Sequence, residues 1–187
     1  MPENPISTLE FHPVDQDRLA DFQGFMEARG GPHYCWCMAW RNGLNGAPKK
    51  TKPEKKAAIS GYVEAGVPIG LLGYDGATPV AWCSVAPRDT YRKLGGDTAL
   101  NQVWSIACFF VQRPYRKKGV ARQLVEAACH YARENGAHFL EAYPVDPNAE
   151  SPSYRFMGYL PMFLKMGFTE TGRAGARRYV VLKDLRK

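Results

Sequence analysis

No stretch of this sequence reaches about eighteen consecutive apolar residues, and the opening Met1–Pro2–Glu3–Asn4–Pro5 carries no signal-peptide pattern. A membrane-spanning or exported chain is therefore not expected. Internal repeats, linkers and low-complexity tracts are also missing, so one domain over 1–187 is expected. With 45% hydrophobic and 12% aromatic residues it can bury one full core. Cysteine is scarce and odd in number: Cys35, Cys37, Cys83, Cys108 and Cys129. Cys83 and Cys108 sit in apolar, strand-like runs, so reduced core thiols in a soluble cytoplasmic protein are expected rather than disulfides. His33-x-Cys35-x-Cys37 lacks a second ligand pair within reach in sequence, and a closed zinc site takes four ligands, so no metal is expected. Acid is outnumbered, 18 Asp and Glu against 25 Lys and Arg, for a formal net charge of +7. The excess lies near Arg116, in 49–56 and in 173–187, rather than along one helix with interleaved aromatics. Nucleic acid is not expected as a partner.

What is present is organised around Val103–Val111, an apolar run rich in β-branched and aromatic residues that reads as a buried strand. A Pro-containing turn leads to Arg116–Lys117–Lys118–Gly119–Val120–Ala121–Arg122, and the period then changes. Val120, Leu124, Ala127, Ala128 and Tyr131 recur at helical spacing, which predicts an amphipathic helix ending at Asn135–Gly136. The first N–H groups of such a helix lack partners and its dipole is positive there, so the loop can hold an anion. Arg113, Arg116, Lys117, Lys118 and Arg122 surround it with no acid between them. Gly119 lets backbone approach phosphate oxygens, and Ala121 keeps the next exposed position small.

Arg116-x-x-Gly119-x-Ala121, between an apolar strand and an amphipathic helix, resembles the acetyl-CoA-binding motif of the GNAT superfamily of N-acetyltransferases, R/Q-x-x-G-x-G/A. The remaining pattern agrees over nearly the whole chain. Ser7–Val14 reads as a strand, Asp15 as an N-cap, and Leu19, Phe22, Phe25 and Met26 as a helical stripe stopped at Gly30–Gly31. Lys52–Gly66 reads as a second helix, and Ile69–Tyr74 and Pro79–Val85 as a hairpin. Arg88–Leu94 reads as a short helical piece, Ala137–Tyr143 as a strand parallel to the central one, 159–166 as a short helix and Arg178–Leu182 as the last strand. The resemblance implies an α/β (α+β) single domain: a mixed sheet with N-terminal antiparallel strands, central strands splayed around the cofactor, and helices on both faces.

It also implies acetyl-CoA as acyl donor and a primary amine of a small molecule as acceptor, attacked directly in a ternary complex. The backbone of Phe109, Phe110 and Val111 would bond the pantetheine arm, and Arg116–Arg122 would hold the diphosphate. Dimers are common in the family, so a homodimer is open. The family's usual proton-donating Tyr is replaced here by Phe163, and its usual Asn by Phe156. Nearby phenols are Tyr143, Tyr154 and Tyr159, and Glu141 is the carboxylate positioned to act as general base if strand alternation turns it into the cleft. Cys108 is placed in a buried strand, where it would lack the thiolate needed of an acyl-accepting nucleophile. Tyr34, Trp36 and Trp40 form either a core cluster or an acceptor wall able to stack on an amine. Asp146, with Glu141 and Glu150, is compatible with a polyamine or cationic antibiotic, and the aromatics with an aryl or aminoacyl acceptor. Phe163 also leaves open a non-catalytic acyl-CoA-binding or sensing module.

Overall fold

The computed structural model describes residues 9–148 and 152–187. Seven strands form one sheet in the order β1-β2-β3-β4-β5-β7-β6: β1 Glu10–Pro13, β2 Leu71–Asp75, β3 Thr78–Pro87, β4 Val103–Val111, β5 Phe139–Ala142, β6 Thr169–Ala174 and β7 Arg178–Asp184. Helices α1 Leu19–Glu27, α2 Lys52–Glu64, α3 Val120–Glu134 and α4 Leu160–Lys165 cover both faces. β4 and β5 run parallel, as a crossover through a helix requires, and the other neighbouring pairs are antiparallel. None of the described helices is long and apolar enough to cross a membrane.

Local chemistry sets the helix ends. Thr51-x-x-Glu54 closes a reciprocal cap on α2: Glu54 N–H donates to Thr51 Oγ1 at 3.3 Å and Thr51 N–H donates to Glu54 Oε2 at 2.9 Å. Asp15 does not cap α1. Its carboxylate accepts the Arg18 N–H and the Arg18 guanidinium, both at 3.0 Å, closing a turn before the helix starts at Leu19. Ser7, within the expected first strand, lies outside the described residues. Arg88–Thr90 makes one 3₁₀ turn where a longer helical piece was predicted.

Two packed layers result. On one face α3 and α4 bury Val120, Leu124, Val125, Ala128, Ala132 and Phe163 against Leu71, Val80, Ile106 and Leu140. The buried stripe of α3 is thus rotated from the predicted one, with Ala127 and Tyr131 only partly covered. On the other face α1 and α2 pack Phe22, Met26, Ile59 and Val63 onto Leu72, Trp82 and Phe110. Each fully covered Leu or Ile contributes about 2–3 kcal/mol of apolar burial.

β4 carries one irregularity that decides the rest. Ser84 pairs with Cys108 but Val85 pairs with Ile106, so Ala107 is an extra residue without a partner on β3. A bulge of this kind shifts the alternation of side chains along a strand. Trp104 and Ile106 join the α3 layer and so does Phe109, while Cys108 and Phe110 turn toward α1 and α2. At the same point the parallel register, Val103↔Phe139 to Ile106↔Ala142, comes to an end.

The core holds several acids in their protonated forms. Burial raises the Cys83 thiol, donation to Cys108 together with burial raises that of Cys37, and burial pushes the Tyr91 phenol up to about 12. Above pH 9 the unfolded chain therefore releases protons that the native state keeps, and stability falls as pH rises. The midpoint of urea unfolding should fall steadily from pH 8 to pH 11. An unchanged midpoint across that range would contradict this core.

Candidate active site

Past Ile106, β4 has no strand on its β5 side among the described residues, while its other edge stays paired with β3 as far as Ala81↔Val111. Such a one-sided strand end is a template for an extended ligand. A cleft of about 580 Å³ runs along it, lined by Phe109, Phe110 and Val111 and by Phe156, Tyr159 and Met162. Phe163, fully buried, supports it from beneath, packed on Phe109 and Phe168 with ring centroids 6.1 and 5.2 Å away.

Arg116 and Ala121 bring this cleft to the start of α3. Gly119 stands there with φ +78°, and nothing lies within 4 Å of where a Cβ would be. No side chain caps the helix, and the carbonyl of Gly119 accepts the N–H groups of Arg122 and Gln123 at 3.0 and 3.2 Å. The N–H groups of Val120 and Ala121 are left without a partner among the described residues. Lys117 and Lys118 are exposed beside them. Arg122 is drawn to Glu126 at 3.1 Å, and Arg116 donates to the Val111 carbonyl at 2.8 Å. Val120 is 2% exposed, so it offers only its backbone. Open backbone, an uncapped positive helix end and unshielded cations fit a diphosphate.

A second cavity, about 160 Å³, adjoins the first and shares Tyr34 and Phe156 with it. Cys108 borders it, half-buried rather than buried as its strand suggested. Cys35, Cys37, Trp40 and Tyr154 complete most of its wall. Cys37 donates to Cys108 Sγ at 3.8 Å and accepts from Trp82 Nε1 at 2.9 Å. The Trp40 and Tyr154 rings stack at 6.4 Å and 30°. Of His33-x-Cys35-x-Cys37 the two cysteines form cavity wall while His33 is exposed outside it, and no group of metal-ligating side chains occurs among the described residues.

Several predicted site residues lie elsewhere. Trp36 is 2% exposed in the core, edge-on to Phe22, and is not part of the acceptor wall. Asp146 is half-buried, accepts the Asn148 N–H at 2.8 Å and borders neither cleft. Glu150 lies outside the described residues. Glu141 does not face the cleft. It is fully buried, bonded by Arg88 at 2.6 and 2.9 Å, by Ser105 Oγ at 2.6 Å and by the Tyr143 hydroxyl. Tyr143 is fully buried too, its phenol pushed well above the ordinary value by burial and by the Glu141 carboxylate. These groups join the end of β3 to β4 and β5 one residue before the parallel pairing stops. Of the three predicted catalytic side chains, only Tyr154 lines a cavity at the site.

The sequence reading missed Gly30, Arg155, Met157 and Met162, all of which line one cleft or the other. Gly30 sits in a loop and Arg155 and Met157 on a 3₁₀ segment, Pro152–Met157, where no period gives a signal, while Met162 lies on the short helix α4. Ala107 and Cys108 needed the bulge to be known.

The pattern described as the Acetyltransferase (GNAT) family matches residues 38–168, and the chain belongs to this family, whose acyl donor is acetyl-CoA. None of the curated proteins compared matches it. Solved structures share the fold. The protein yncA from Salmonella typhimurium, with its cofactor acetyl-CoA, is 15% identical with TM-score 0.58 over 96% of this chain and 95% of that one. The PaiA N-acetyltransferase from Thermoplasma acidophilum, in complex with coenzyme A, is 11% identical with TM-score 0.56 over 95% and 99%. AAC(6')-Iy, in complex with the bisubstrate analogue CoA-S-monomethyl-acetylneamine, is 16% identical with TM-score 0.57 over 89% and 95%.

Glu141→Gln should cost about 2–3 kcal/mol of stability, since a buried carboxylate leaves Arg88 without its partner while Arg88 itself, at 23% side-chain exposure, stays partly solvated. Denaturant unfolding measures the loss, and titration with acetyl-CoA at a temperature where the variant is folded should give an unchanged Kd. Wild-type stability with abolished turnover would instead return Glu141 to a catalytic role.

Proposed function

We propose that this chain transfers the acetyl group of acetyl-CoA to a primary amine of a small molecule, by direct attack in a ternary complex. The observation that carries this reading is the meeting of two unlike cavities on β4. One ends at the uncapped start of α3 and follows an open strand edge, and the other is a smaller, amine-sized space beside Cys108. The five free cysteines fit a reducing, cytoplasmic setting.

Bound acetyl-CoA supplies an activated thioester. The free edge of Phe109–Val111 would hold its extended arm, and the N–H groups of Val120 and Ala121 its phosphates. An N–H near Phe110 would receive the negative charge that develops on the attacked carbonyl oxygen. Among the described residues no carboxylate lines either cleft. The acceptor cavity therefore favours the uncharged amine by desolvation, its proton passing to water, because burial without a counter-charge lowers the pKa of an ammonium group. Tyr154 would donate a proton to the departing thiolate, the role that Phe163 cannot fill.

Phe163 is also what favours the second reading, a non-catalytic acyl-CoA-binding module. Calorimetric titration with acetyl-CoA and detection of released thiol with an amine panel separate the two. Gly119→Glu should weaken acetyl-CoA binding at least about 100-fold, because it fills the open cradle with an anion. Tyr154→Phe should keep the Kd and lower kcat about 100-fold. Tight binding without thiol release from any amine would favour the sensor, and equal binding by Gly119→Glu would remove the phosphate site.

A further inference from the structure

The cavity beside Cys108 has a chemistry more specific than "amine". Sulfur and aromatic rings dominate it, among them Cys35, Cys37, Cys108, Trp40, Tyr154 and Phe156. The thiols of Cys35 and Cys37 are pushed up, the former first by its hydrogen bond with Cys37 and the latter first by its hydrogen bond to Cys108, so they carry no negative charge. The charged groups that touch its wall are cations. Arg178 lies 4.6 Å and Arg92 6.0 Å from the Trp40 ring centroid, and Lys55 Nζ donates to the Tyr34 carbonyl at 3.0 Å. A polyamine or an aminoglycoside brings several positive charges and needs carboxylates or a chain of carbonyls to replace its water. Among the described residues no carboxylate lines this wall. Polarisable sulfur beside ring edges instead suits an aromatic or branched apolar body. The volume, about 160 Å³, is close to that of cavities that hold one benzene ring, about 150 Å³.

We infer that this cavity binds the body of an amine built on one aromatic ring, or on a branched apolar group of the same size, and discriminates against polycations. That it is the acceptor's body rests on the acetyl-transfer reading; the binding preference does not. Trp40 and Tyr154 set the preference by stacking with the guest ring, and Cys108 sets the depth.

The test uses the full chain loaded with coenzyme A and titrated with phenethylamine or with spermidine, followed by intrinsic fluorescence and calorimetry. Phenethylamine should bind at least about tenfold more tightly than spermidine. Cys108→Phe, which fills the cavity, should weaken phenethylamine at least about tenfold. Ala39→Phe does the same from an exposed position that is not part of the core, and so guards against a folding failure of the first variant. Spermidine binding as tightly as phenethylamine, or phenethylamine binding that ignores both filling variants, overturns the inference. Thiol release, measured in parallel with acetyl-CoA, separates the two readings. Phenethylamine that binds as expected but is never acetylated supports the cavity and refutes transfer, whereas turnover of spermidine alone supports transfer and refutes the cavity.

Discussion

Where β4 and β5 part, backbone that a sheet would ordinarily consume is left over. The bulge at Ala107 and the end of the parallel register at Ile106↔Ala142 fall at the same place, so the strand turns its alternation and loses its neighbour within two residues. The cluster of Glu141, Arg88, Ser105 and Tyr143 brackets that point and ties three strands together. A bonded crotch followed by an open edge is a stable way to keep a gap in a core, because the groups closest to the gap are fully satisfied and the unpaired ones face the cleft.

Everything at the site follows from that gap. Because the bulge sends Phe109 to the α3 layer and Cys108 to the α1 layer, one strand floors both cavities. The larger cleft lies toward Val111 and the start of α3, and the smaller cavity toward Ala107. Phe163 explains why the family's usual proton donor is absent without harm to the fold: it is a packing residue beneath Phe109, and a phenol there would need a partner that a ring does not. A phenol that does border the smaller cavity is Tyr154, held by its stack on Trp40.

The strand–loop–helix around Arg116-x-x-Gly119-x-Ala121 was legible in the sequence because local rules govern all of it: a continuous apolar run, a glycine that adopts φ +78°, and a 3.6-residue period. Element order was legible for the same reason. Glu141 was not, since period 2 says that a strand residue faces one side or the other but not which side holds Arg88, 53 positions earlier. Trp36 and Trp40, four residues apart in one aromatic segment, divide between core and cavity through a turn in which Trp36 and Cys37 both have positive φ. No composition rule anticipates that. Asp15 looked like a helix cap and closes a turn instead, because the same short side chain serves both uses.

The free edge of β4 as the seat of the acyl-donor arm is best tested by amide hydrogen exchange with and without acetyl-CoA. Segment 107–111 should slow together with 119–123, since the ligand supplies the partners that β5 does not. Slowing confined to 119–123, with 107–111 exchanging as in the free protein, would contradict the account: the phosphate loop would then bind without the strand edge.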